Sequence, residues 1–366
     1  MSDLYLVDGT DLTAVADQIR AKAGTSEPLT FPDEFISAVE GIETGGGSDL
    51  IALIEGEATE ATIQSGITKI RKYGLYKYSS LTELILPDSL TSIGEFAFSG
   101  CTGLINIFLP NGVTNIGTGA FSSCTNLANA TLPDSLTTIP SKLFSSCTNL
   151  NNVILPDSLT IIDSDAFKDC TALTLETLPE GVTNIGSNAF YGCTALTLET
   201  LPEGVTNIGS NAFYGCTKLA LTSLPLGVTT ISSAAFRGCV NLALTSLPEN
   251  CTNISMNAFR DCTNISISEI PANVKSFGDY AFKGCTGLTE IRFKGKFQSV
   301  NAEIFADCTN LHTVTFDVAT LSINSKCFSG CTSLTTINVP WAEGEVSGAP
   351  WGASNATINY NYVPTE

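Results

Sequence analysis

Thirteen cysteines, one histidine and 36 Asp plus Glu are the groups in this 366-residue chain that could do chemistry, and their spacing decides what kind. Eleven of the cysteines return every 23 residues without a slip, at 101, 124, 147, 170, 193, 216, 239, 262, 285, 308 and 331. Zinc wants four convergent ligands, and although Cys327 and Cys331 have a spacing that suits a metal pair, no further Cys or His accompanies them in the repeat. Disulfides are disfavoured as well. In stacked parallel coils equivalent positions lie about 4.8 Å apart and point the same way, beyond the Cβ span of about 3.5 to 4.5 Å that a bridge needs. The ladder therefore predicts buried thiols that act as small apolar residues. The two off-ladder thiols obey the same logic, Cys251 in the slot that Val113, Val182 and Val205 fill elsewhere and Cys327 in that of Ala97 and Ala120.

Catalysis finds little support among the other groups. His312 falls at an exposed strand position with no fixed Ser or Cys beside it, which is a poor setting for a general base. Asp163 and Asp165 form a lone acidic pair in a turn, where solvation explains them. Glycines are scattered at turn positions and form no GxxxxGK[ST] phosphate cradle. The expectation is a chain with no catalytic residues, no cofactor and no metal.

The elements that position these residues follow from the period. One unit reads Leu104-x-x-Ile107-x-Leu109-Pro110-x-x-Val113-x-x-Ile116-x-x-x-Ala120-Phe121-x-x-Cys124-Thr125. Its first apolar positions predict one short strand, which Pro110 stops by removing a donor. Ile116, Ala120 and Phe121 are spaced to turn a short helical or 3₁₀ segment inward before the cysteine closes the coil. The threonine after nearly every ladder cysteine predicts a turn tied by its hydroxyl. Residues 172–194 and 195–217 are identical, so whole turns have been duplicated, and from there to Ile270 the pattern becomes Leu-x-Leu-x-x-Leu, read as a bulged or re-aimed strand. A strict period of this length means an α/β-type repeat solenoid rather than several globular domains.

Outside the repeat, residues 1–43 are expected to form a small helical attachment module, with Leu12, Val15, Ala16, Ile19 and Ala23 at helical spacing. Residues 44–49 read as a Gly-rich hinge, 50–80 as an N-terminal cap and degenerate repeat, 81–334 as the solenoid, and 335–366 as the last repeat and C-terminal cap. Seventeen Lys plus Arg against 36 acids give a formal charge of -19, which argues against nucleic acid or an anionic membrane as partner. No run of 18 apolar residues is present and the N-terminus lacks a secretory signal pattern, so the chain is expected to be made in the cytoplasm without membrane insertion.

The consensus Leu-x-x-Ile-x-Leu-Pro-x-x-(Leu/Val)-Thr-x-Ile-Gly-x-x-Ala-Phe-x-x-Cys resembles the BspA-type (treponemal, LRR type 5) leucine-rich repeat over about residues 58 to 357, with 11 consecutive turns keeping Phe and Cys. The resemblance implies a right-handed, parallel-strand leucine-rich repeat solenoid of 23-residue turns, a role in adhesion and surface recognition, and no catalytic residues. The stretches from Leu6 to Lys22 and from Leu29 to Phe35, and the ending from Gly348 to Tyr360, also look like parts of tail-associated proteins of phages and prophages of gut Gram-positive bacteria. That implies a host-binding virion protein; the alternative is a bacterial cell-surface adhesin or host-interacting protein. Expected partners are a cell-surface protein or glycan for the solenoid, and other virion subunits or further copies for residues 1–43.

Subtracting the core leaves two columns as candidate contacts. Two residues before the cysteine run Lys168, Tyr191, Tyr214, Arg237, Arg260 and Lys283, a stripe for an anionic glycan or acidic protein, or else ordinary solvated turn residues. Seven after it run Ile85, Phe108, Thr131 and Ile154, whose three large apolar members form a patch for self-association or a partner unless residues 1–43 cover it.

Overall fold

The computed structural model describes residues 60–363 apart from 64, 298 and 321; the expected module over 1–43, the hinge and the segment from Leu50 to Ile54 lie outside the described residues. The chain divides between Ser158 and Leu159 into two compact units, each built of parallel coils, with about 13 turns of the repeat in all.

In the first unit each turn contributes two short strands rather than the one expected. The first ladder holds Glu83–Ile85 beside Glu60–Thr62, and Asn106–Phe108, Asn129–Thr131 and Asn152–Ile154 in one sheet, all parallel and in register at the 23-residue offset. The second runs through Lys69–Ile70, Ser92–Ile93 and Asn115–Ile116. Alternation sets the faces: Ile107, Ala130 and Val153 point into the core while Phe108 and Ile154 point out.

The second unit repeats the inner ladder from Ile161–Ile162 through Asn184–Ile185 to Asn207–Ile208, and from Thr230–Ile231 through Asn253–Ile254 to Ser276–Phe277. The outer ladder is absent between residues 171 and 268, where the apolar spacing had changed. With inward side chains such as Leu196, Leu198 and Leu201, all buried, the interval is two and then three residues, and no extended segment can face all three inward. Only isolated links remain there, such as Ala243 N–H to Leu221 C=O at 3.0 Å. The ladder resumes at Glu269–Ile270 and continues through Glu290–Phe293, Thr313–Phe316, Thr336–Asn338 and Thr357–Asn359 in one five-stranded parallel sheet. Trp351, fully buried, takes the phenylalanine slot of the last coil, where Phe328 donates its N–H to the Trp351 C=O at 3.0 Å, and Trp341 and Phe316 pack in line with it.

No helix occurs among the described residues; the corner expected to be helical takes another path. In residues 94–101, Phe96, Phe98 and Gly100 donate their N–H to the next turn's Thr118, Ala120 and Ser122 at 2.8 to 2.9 Å. Ala97, Ser99 and Cys101 donate three residues back within the turn. Half of the corner's amides thus serve the neighbouring coil, which a helix could not allow. The alternation is made by two left-handed residues per corner, Phe96 (φ 52) and Gly100 (φ 77) here, Asn188 (φ 55) and Gly192 (φ 71) in a duplicated turn.

Stacked on this backbone, the ladder phenylalanines pair face to face, Phe98 on Phe121 at 5.1 Å in the first unit and Phe190 on Phe213 at 5.4 Å in the second. The threonine hydroxyls link adjacent coils rather than closing their own turn: Thr217 Oγ1 donates to Thr194 C=O at 3.2 Å.

Candidate recognition surfaces

The thiols are structural. All 13 are free and buried. The ladder Sγ–H groups reach a carbonyl 26 residues earlier, that of Leu75 for Cys101 and of a phenylalanine farther along, as Cys216 does to Phe190 at 3.0 Å and Cys239 to Phe213 at 2.9 Å. Burial, reinforced by the neighbouring thiol, pushes Cys193, Cys216, Cys285 and Cys308 far above the ordinary thiol range. Burial likewise lifts Cys251 to about 11 and Cys331 to about 12. Groups so reluctant to become thiolates are neither nucleophiles nor metal ligands. Among the described residues no cluster of three His, Cys, Asp or Glu is arranged to hold a metal ion. His312 is exposed, and Asp163 caps its own turn by accepting from Ser164 N–H. No described helix is long and apolar enough to cross a membrane.

Ile85, Phe108 and Ile154 stand on the outer face of the first unit, 52%, 65% and 56% exposed. Phe108, Thr131 and Ile154 are direct register partners, so the row is a straight line across the strands. Beside it runs a polar rail in which Asn129 Nδ2 donates to Asn106 Oδ1 at 2.7 Å. Ile105, 46% exposed, adds to the apolar area next to Phe108.

The stripe in the second unit is a stack rather than a row of free cations. Lys168 Nζ lies 5.3 Å over the Tyr191 ring, Tyr191 and Tyr214 stack at 4.7 Å, and the Arg237 guanidinium sits 5.4 Å over Tyr214. Asp261 then stands between Arg237 at 4.0 Å and Arg260 at 3.4 Å. Tyr280 receives Arg260 and Lys283 at 5.9 and 5.5 Å, and Lys283 closes on Glu303 at 2.8 Å and Asp307 at 3.6 Å. The hydrogen bond to Glu303 holds the Lys283 ammonium charged above its usual range. All six residues are half-buried. The column's neighbours, Asp261 and Asp307 one residue before their cysteines, supply carboxylates that a column-by-column reading overlooks.

A third surface involves a later member of the Phe108 column, Arg292, seven residues after Cys285. On the outer face of the five-stranded sheet, Arg292 Nε donates to both oxygens of Asp317 at 2.8 and 3.0 Å, and Lys294 bridges to Glu269 at 3.2 Å. Lys294 and Asp317 occupy the slot that proline fills in regular turns, and their departure from the consensus is the signal that points here.

Parallel coils with an apolar inside and short strands in register at a 23-residue offset define the class of leucine-rich repeat proteins. More narrowly, the family model described as BspA type Leucine rich repeat region matches residues 55–174, 137–266 and 252–346, and the chain belongs to that family. A leucine-rich repeat protein from Bacteroides ovatus is similar at 25% identity, with 82% of this chain and 83% of that one covered and a TM-score of 0.66. A leucine rich cell surface protein from Faecalibacterium prausnitzii is 25% identical over 92% of this chain and 96% of its own, with a TM-score of 0.52. The pneumococcal vaccine antigen PcpA shares the fold at 21% identity and a TM-score of 0.53, covering 83% of this chain and 80% of its own. No match is found among curated protein sequences.

Proposed function

We propose that this chain is a cell-surface adhesin, a non-enzymatic protein that binds a macromolecule on another surface through the outer face of its first unit. The observation that carries this reading is the row of Ile85, Phe108 and Ile154, large apolar side chains more than half exposed on outward strand positions, with Phe108 and Ile154 aligned in register through Thr131. Soluble chains spend exposed apolar area of this kind on partners. The similarity to a leucine rich cell surface protein supports the setting. The stripe from Lys168 to Lys283 has a smaller part in this reading, since three of its four cations, Arg237, Arg260 and Lys283, face Asp261, Glu303 and Asp307. A phage-tail role draws no support from the comparisons, and the docking through residues 1–43 that it invokes falls outside the described residues.

Beads coated with the full chain should adhere to at least one of a panel of animal epithelial and bacterial cells. Phe108→Ser with Ile154→Ser should reduce that adhesion at least tenfold at an unchanged melting temperature. Equal adhesion by the double variant removes the row as the binding face, and no adhesion to any cell in the panel removes the adhesin reading.

A further inference from the structure

The outer face of the five-stranded sheet carries two aligned polar rows. Glu269, Arg292, Thr315, Asn338 and Asn359 are register partners along one, and Glu290, Thr313, Thr336 and Thr357 run along the other. Within the first row Asn338 Nδ2 donates to Thr315 Oγ1 at 3.1 Å and Asn359 Nδ2 to Asn338 Oδ1 at 2.8 Å. Tyr362, beyond the last strand, joins Glu290, Arg292, Thr313 and Thr315 around a cavity of about 240 Å3. A second depression of about 450 Å3 shares Ser268 and Glu269 with the first and adds Thr245, Ser246, Asn273 and Lys294.

We propose that these joined depressions bind a neutral oligosaccharide, one sugar ring beside Tyr362 and a second beyond Glu269. This rests on the reading of the chain as a non-enzymatic binding protein and names a ligand class for it. Sugar hydroxyls each donate and accept, and the lining offers both kinds of partner: carboxylates of Glu269 and Glu290 as acceptors, Arg292 and Lys294 as donors, threonine and serine hydroxyls as either. Arg292 commits its Nε to Asp317, while its two terminal nitrogens have no partner among the described residues. Tyr362 supplies the one aromatic wall, suited to the C–H face of a pyranose.

Charge and backbone weigh against an anionic glycan and a strand-adding peptide. Four carboxylates (Glu249, Glu269, Glu290, Asp317) against two cations (Arg292, Lys294) leave the site two negative charges, and both cations are already paired, so an anionic glycan gains nothing there. A peptide adding a strand needs an open edge. Glu290–Phe293 and Thr313–Phe316, which floor the cavity, are paired on both sides, and the sheet's end strand Glu269–Ile270 is only two residues long, too short an edge to hold a peptide strand in register.

The test is an array of neutral glycans, with uronic-acid oligosaccharides and a Lys/Arg-rich peptide as competitors, probed with the full chain and followed by titration calorimetry. At least one neutral oligosaccharide should bind. Tyr362→Ala and Glu290→Gln should each weaken it at least tenfold, and Arg237→Ala should leave it unchanged. The proposal is overturned if no neutral glycan binds, if both cleft variants bind as the parent does, or if only the uronic-acid or basic competitor depends on Tyr362 and Glu290. The bound sugar should be recovered intact after long incubation; shorter products would overturn the non-enzymatic reading instead. Phe108→Ser with Ile154→Ser should not affect sugar binding, so failure of the adhesin face and failure of the cleft are read separately.

Discussion

A thiol at position 216 has two demands to meet: it must fit a space between coils, and it must satisfy a carbonyl. Its Sγ–H donates to Phe190 C=O at 3.0 Å, a carbonyl that also accepts the Cys193 amide at 3.1 Å. Alanine would fit but donate nothing, and valine would fill without donating. The same burial makes the ladder a pH-sensitive element. Unfolded thiols ionise near pH 8.5, whereas the folded ones hold their protons to about 11 at Cys251, about 12 at Cys331 and beyond in the ladder. Between those limits the unfolded chain has lost protons that the folded chain keeps, so stability falls as pH rises. Each such thiol contributes a slope of about 1.4 kcal/mol per pH unit. The melting temperature should therefore be insensitive to these groups below pH 8.5 and drop steeply by pH 10; a flat profile through pH 10 would falsify the buried ladder. That the cysteines face inward was legible in the sequence, because an unbroken period fixes the core columns. Their role as donors was not, since the acceptor lies 26 residues away and its position depends on the path of the corner.

At the scale of the element, the corner is where sequence and structure part. Spacing alone suggested a helical turn, because Ile116, Ala120 and Phe121 recur as on a helix face. The alternation of left-handed residues has a different signature: neither left-handed column holds Val, Ile or Thr. One runs Phe96, Gly119, Lys142, Asp165, Asn188, Asn211, Ala234 and Asn257, the other Gly100, Ser123, Ser146, Asp169, Gly192 and Gly215. Branching at Cβ is what that conformation tolerates least. Asn211→Val should cost about 1 to 2 kcal/mol of unfolding free energy. Asn211→Gly should be close to neutral, because Asn211 (φ 55) already has a backbone glycine adopts freely. Chemical denaturation of the two variants checks this, and equal losses would mean that the side chain rather than the backbone sets the corner. The lost outer ladder between residues 171 and 268 belongs to the same scale. The changed leucine spacing was visible, but whether a strand bends or disappears depends on hydrogen bonds to both neighbouring coils.

For the whole molecule, exact repetition makes stability a sum over turns and their contacts. The identical turns 172–194 and 195–217 offer a direct measurement of one term in that sum. Removing 195–217 brings Phe190 against Phe236 in place of Phe213, and the rings on either side of that joint already stack at 5.4 and 5.5 Å with interplanar angles of 6° and 5°. It also places Arg237 over Tyr191 where Tyr214 stood, replacing a ring pair by a cation and a ring, as already occurs between Arg237 and Tyr214. The shortened chain should fold with one cooperative melt a few degrees below the parent and a smaller denaturant dependence in proportion to the surface removed. An insoluble product would show that the turns are not interchangeable. Additivity of this kind also explains which surfaces the sequence could reveal. The row from Ile85 to Ile154 was legible because it obeys the period. The sheet-face cleft was not, because it depends on departures: Arg292 lies in the same column as Phe108, but Lys294 and Asp317 replace the consensus proline, and Tyr362 reaches the cleft from beyond the last strand. In a repeat protein the periodic residues build the scaffold, so ligand specificity is carried most readily by the residues that the period does not explain.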